Sequence, residues 1–175
     1  MEPTQIIAVV VFFAVAFGFF IVKEMINKKK GESGEDLAKV RQVVEKLLPG
    51  SGSYTVAYAN YETSDAVGNR VTKYYYHYAI AFKPGALFVA PIKYSGGEVS
   101  CPGSGTLLTK DNLGKLQQKG DSCAFFDRDG KEICTFCVYA SNTRQDKYQP
   151  FNIQQKEQAE AYKNFLRELI GQVNG

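Results

Sequence analysis

One histidine, no tryptophan and almost no surplus charge in the part that folds are the scarcities of this 175-residue chain, and each excludes something. With a single imidazole, every histidine-dependent reaction would have to pass through His77, and no second histidine, nucleophile elbow or paired-carboxylate motif accompanies it. Taking Lys23, Lys28, Lys29, Lys30, Glu2 and Glu24 away from the 21 basic and 18 acidic residues leaves 17 and 16, so the globular part is nearly neutral. Phosphate backbones call for clustered Lys and Arg, and nucleic acid is therefore not an expected partner. The glycine-rich stretches GSGSY after Pro49 and CPGSG near Gly103 lack the lysine and the following helix of a phosphate loop. Asp127–Gly130, D-R-D-G, has too few ligand positions for a calcium loop and reads as a hairpin turn.

Four cysteines are present, Cys101, Cys123, Cys134 and Cys137. The C-x-x-C spacing of Cys134 and Cys137 invites a zinc reading, but both fall in an alternating strand, where residues three apart point to opposite faces. They read as small buried apolar residues of a reducing compartment, and neither a metal nor a cofactor is expected.

What the chain has in quantity is apolar and aromatic residues, with eleven Tyr and twelve Phe. Ile6 to Val22 reads IIAVVVFFAVAFGFFIV, a charge-free run that covers about 25 Å as a helix. No positive leader precedes it and no small-residue cleavage site follows, which favours an uncleaved anchor over a signal peptide. Lys23, Lys28, Lys29 and Lys30 follow the run and no Lys or Arg precedes it, so the expected protein is single-pass, with its N-terminus outside and its C-terminal domain cytoplasmic. Lys28, Lys29 and Lys30 are also candidates for contact with anionic lipid. Ala14 and Gly18 have the spacing at which two spans approach closely, which makes a homodimer an option.

The expected organisation is a short external N-terminus over 1–5, a transmembrane helix over 6–22, a basic juxtamembrane linker over 23–36, an amphipathic helix over 37–48 and a soluble α+β domain over 53–175. Ser33 and Asp36 suggest a capped start to the helix, and Leu37, Val40, Val43, Val44, Leu47 and Leu48 recur at its period. From Ser53 the period becomes two: a strand to the turn-rich SDAVGN, then VTKYYYHYAIAFKP, then ALFVAPIKY with Pro91 at an edge or bulge, and a short strand near Glu98–Cys101. Thr109 to Gln118 reads as a capped helical turn. CAFFDRDGKEICTFCVYA is a hairpin about Asp129 and Gly130, and a long amphipathic helix follows Asn152, with Gln155 answering its cap. A small antiparallel meander closed by the last helix is the expected architecture.

The order of these elements, with FFDRDGKEICTFCV leading to PFNIQQKEQAEAYKNFL, resembles the pleckstrin-homology-like (PH-like) fold of bacterial membrane-tethered domains. The resemblance implies a bent sheet or barrel plugged by the last helix, and a non-catalytic role in binding or localisation. Phosphoinositide-binding members are similar to one another in a basic first hairpin, whereas YETSDAVGNRVTK sets Arg70 and Lys73 beside Glu62 and Asp65. The expected function is a non-catalytic, membrane-tethered interaction or scaffolding module with a protein partner, whose candidate surface is Tyr74, Tyr75, Tyr76 and His77. The alternative is a tethered enzyme or thiol-redox protein that uses a cysteine with His77.

Overall fold

The computed structural model describes residues 34–68, 70–143 and 147–174. Helix α1, Glu35–Leu47, sets Val40, Val43 and Val44 on one face and buries all three. Its start is Gly34 at φ 70°, and Asp36 does not cap it: the carboxylate accepts the Asn152 backbone N–H at 2.8 Å, pinning the helix to a segment 116 positions away. Ser33 lies outside the described residues.

β1, Thr55–Val67, and β2, Arg70–Lys83, pair antiparallel along their full lengths, from Thr55 opposite Phe82 to Val67 opposite Arg70. β3, Ala86–Pro91, and β6, Thr106–Thr109, extend them into a sheet of order β1-β2-β3-β6. Alternation along the strands divides this sheet between two cores. Val56, Tyr58, Ala79, Ala81, Phe88 and Ala90 face α1, while Ala57, Ala59, Ile80, Phe82, Leu87 and Val89 fill the other side. β3 stops at Pro91, and the chain turns into a separate ribbon of β4, Lys93–Ser95, and β5, Glu98–Ser100.

β7, Leu113–Lys119, β8, Ser122–Asp127, and β9, Glu132–Phe136, make a second antiparallel sheet. The turn between β8 and β9 uses Gly130 at φ 78°, as the Asp-Gly pair implies. After the two-residue pair of β10, Ser141–Asn142, with β11, Ile153–Gln154, helix α2, Lys156–Asn174, closes the chain. α2 buries Ala159, Tyr162, Phe165, Leu166 and Leu169 between the two sheets, and a second core lies between α1 and the outer face of the first sheet.

Several expectations are corrected. Thr109 to Gln118 is not a helical turn but the end of β6 and most of β7. Its helix-like spacing comes from a bulge: the register shifts between Leu113 and Lys115, so Leu113 and Leu116 both turn inward although they are three apart. The domain is α+β and rich in sheet, yet it is not a closed barrel. β6 and β7 do not pair, and β1 meets the chain after β9 through one bridge, Asn60 with Cys137. Side-chain amides occupy both gaps. Asn174 donates to Leu116 O at 2.8 Å and accepts from Leu116 N–H at 3.0 Å along the free edge of β7. Gln155 does the same for Tyr58 on β1. A helix end thus finishes each edge where a further strand would have closed the barrel.

The expectation of a single-pass transmembrane protein with a cytoplasmic domain is also corrected. Among the described residues no helix is long and apolar enough to cross a membrane. α2 has the length but carries Glu157, Glu160, Lys163, Arg167 and Glu168. The run 6–22 that carried the expectation, and Lys28, Lys29 and Lys30, lie outside the described residues.

Candidate functional site

β3 accompanies β2 only as far as Tyr78, and the bridge to Cys137 holds β1 only at Asn60. Beyond those points β1 and β2 pair with each other alone, and 62–67 with 70–76 form a two-stranded ribbon leaving the body. Thr63 to Val67 stay paired with β2, so β1 runs through the stretch whose composition suggested a turn and reverses only at Gly68, φ 61°.

Register sorts the tyrosine run onto two faces. Tyr74 and Tyr76 share a face with Tyr61, Thr63 and Thr72, and they are 41% and 44% exposed. Val67 and Val71, near the tip, are 79% and 65% exposed. Tyr75 and His77 lie on the opposite face, where Tyr75 stacks on Tyr148 with ring centroids 5.2 Å apart. The four residues expected to form one surface are therefore two pairs, one open and one packed.

His77 sits half-buried in a determined hydrogen-bond chain. Its Nε2 is 3.0 Å from Tyr148 O, a carbonyl that can only accept, so Nε2 carries the proton. Nδ1 then accepts from the Tyr58 hydroxyl at 2.7 Å, and that hydroxyl accepts from Asn142 Nδ2 at 3.5 Å. Tyr58, His77 and Tyr94 surround Phe151 at centroid distances of 4.7, 5.5 and 5.3 Å. Burial depresses the His77 pKa below its ordinary value of 6.5, partly offset by the Tyr148 carbonyl, and raises that of Tyr58 well above 10. The ring is a neutral structural link between the ribbon's base and the segment around Phe151.

The thiols are not brought to this imidazole. Cys137 faces Asn60, donating to its carbonyl at 3.1 Å, while Asn60 lies opposite His77, so that thiol and imidazole stand two strands apart. Cys123 and Cys134 are buried in the core, which pushes both up to about 12. All four cysteines are free, and no cluster of metal-ligating residues occurs among the described residues.

Where the bridge at Asn60 ends, a polar cleft of about 330 Å³ opens beside the edge of β1. Glu62, Ser141, Asn142, Thr143 and Gln149 are among the residues that line it, and Glu62 is the only charged one among the described residues. Lys73 on β2 holds Glu62 Oε1 at 2.7 Å across the ribbon. Neither the cleft nor the ribbon's length was foreseen. The ribbon's outer half has no alternating signal, since Ser64, Asp65, Ala66 and Val67 are all exposed, and the cleft has no local signal because 60–62 and 137–149 are distant in sequence.

Comparison of this chain with family models, curated proteins and solved structures returns no match. The functional reading therefore rests on the geometry.

Proposed function

We propose that this protein is a non-catalytic interaction module that docks a partner protein on the outer half of its β1–β2 ribbon. The observation that carries the reading is the ribbon itself: paired strands that leave the body with their last residues exposed, and with Tyr74, Tyr76, Val67 and Val71 presented on an element that contributes little to either core. Exposed aromatic and apolar residues grouped on one element mark an interaction surface more often than residues scattered singly. Tyr is suited to the role, since it offers a large contact area at low entropic cost.

The test is site-specific photocrosslinking in the protein's own cells, with a photoreactive phenylalanine placed at Tyr74 or Tyr76 and, as a control, at Lys163 on α2. Discrete adducts of one size from the ribbon positions alone are expected. Equal labelling from all three positions, or none from the ribbon, would reject the reading.

A further inference from the structure

Three residues on strand edges that face the body have their outward backbone groups satisfied from elsewhere in the fold. The outward backbone groups of Tyr58 are taken by the Gln155 amide, those of Asn60 by the Cys137 backbone, and those of Leu116 on β7 by the Asn174 amide. In an antiparallel strand every second residue directs both N–H and C=O to the same side, so the outward series on β1 continues through Glu62, Ser64 and Ala66. No strand or side-chain amide meets these three among the described residues. An unpaired edge is a template for another strand. The cleft of about 330 Å³ opens at the inner end of this stretch, in the lane that an added strand would follow.

We propose that the β1 edge from Glu62 to Ala66 accepts an antiparallel strand from the partner protein, and that this strand carries basic side chains. The proposal deepens the docking reading above and rests on it. Charge selects the chemistry of the occupant. The ribbon's two acidic residues, Glu62 and Asp65, are both on β1, and its two basic residues, Arg70 and Lys73, are both on β2. Among the described residues Glu62 is also the one charged side chain lining the cleft, where Lys73 holds its Oε1 at 2.7 Å. A second copy of this chain fits poorly. Its own β1 edge would bring two further carboxylates to the ladder, and its β2 edge, oriented with the two bodies apart, would have to run parallel. Main-chain bonds to the edge would supply affinity, and a Lys or Arg against Glu62 in the cleft would supply selectivity.

Three acetylated octapeptides serve as probes against the full chain: one alternating Lys and Thr, its Glu-for-Lys counterpart, and the Lys peptide N-methylated at alternate residues. Fluorescence anisotropy should show the Lys peptide binding at least tenfold more tightly than either other peptide, with amide NMR shifts concentrated at Glu62, Ser64 and Ala66. Ser64→Pro removes one outward N–H without touching a bond to β2, and it should cost tenfold in affinity with Tm unchanged. Glu62→Gln should reduce the Lys-over-Glu preference, and it decides the matter if the proline variant folds poorly. Equal binding of the three peptides, no binding, shifts confined to α2, or a dimer of the chain dissociated by Ser64→Pro would each overturn the proposal. Photocrosslinks from Tyr74 and Tyr76 that survive Ser64→Pro and Glu62→Gln would sink the edge alone and leave docking through the tyrosine face intact.

Discussion

The side-chain amide of Gln155 pairs with the backbone of Tyr58 as a strand residue would, accepting from Tyr58 N–H at 2.9 Å and donating to Tyr58 O at 2.8 Å and Tyr139 O at 2.9 Å. Gln155 is 2% exposed, so none of these groups can turn to water if the amide is lost. Gln155→Ala is expected to lower folding stability by about 3 kcal/mol, near 1 for each bond. Gln155→Glu should do no better, because a carboxylate would face two carbonyl oxygens. Chemical denaturation measures both, and a loss below about 1 kcal/mol for either would show that the amide does not hold the gap.

His77 makes stability dependent on pH on the acid side. Its folded pKa lies below 6.5, so the unfolded chain binds a proton at pH values where the folded chain does not. Its contribution is complete above pH 6.5 and declines below it, by at most about 1.4 kcal/mol per pH unit. Because the sequence holds one histidine, a single imidazole resonance should titrate with a midpoint under 6.5, and His77→Gln should flatten the stability profile between pH 6.5 and 5. A midpoint above 6.5 would reverse the sign.

At Gly114 an added methyl group would run into the Asp127 carbonyl oxygen and would lie 2.7 Å from the Arg128 Cα. Both obstacles are backbone, at the end of β8 and in the turn that follows it, and cannot swing aside. Gly114→Ala is expected to cost about 2 kcal/mol or more through overpacking, whereas Gly52→Ala, with nothing within 4 Å, should change stability by less than about 0.5 kcal/mol. Paired thermal melts compare the two, and similar values would argue against a tight crossing at the bulge.

Tyr162 is 3% exposed and its hydroxyl has no hydrogen-bond partner among the described residues, while its ring packs against Phe82, Phe136 and Phe165. Removing a buried hydroxyl that makes no bond relieves a desolvation cost. Tyr162→Phe should leave stability unchanged or raise it by up to about 1 kcal/mol. A loss larger than 1 kcal/mol in a denaturant titration would reveal a partner for that oxygen.

The thiols should separate by burial. Cys101 is partly exposed, whereas Cys123 and Cys134 are buried and held near 12, where little thiolate forms. Alkylation at pH 8 followed by mass spectrometry should modify Cys101 first and reach Cys123 and Cys134 only with denaturant. Early modification of Cys134 would be incompatible with this core.

Local chemistry alone made several elements legible. Asp129 and Gly130 mark the β8–β9 turn because the turn needs positive φ, and the valines of α1 mark its buried face because they repeat at the helical period. The same kind of reading failed at Leu113 and Leu116, where a bulge imitated helical spacing, and at SDAVGN, where polar composition concealed an unbroken strand. In the candidate site, alternation placed Tyr74 and Tyr76 apart from Tyr75 and His77, but it could not tell which face would meet Tyr148 and which would meet solvent.

Sequence by itself thus determined the α+β character, the periods of its helices and strands and the near-neutral charge of its domain, since each follows from neighbouring residues. Only the tertiary structure decided that the sheets stay open, that Gln155 crosses 97 positions to finish the β1 edge at Tyr58, and that no strand among the described residues pairs with the edge beyond Asn60. The reason is physical: backbone groups must be satisfied when buried, and which distant group satisfies them depends on how the two sheets pack around α2 rather than on any local preference.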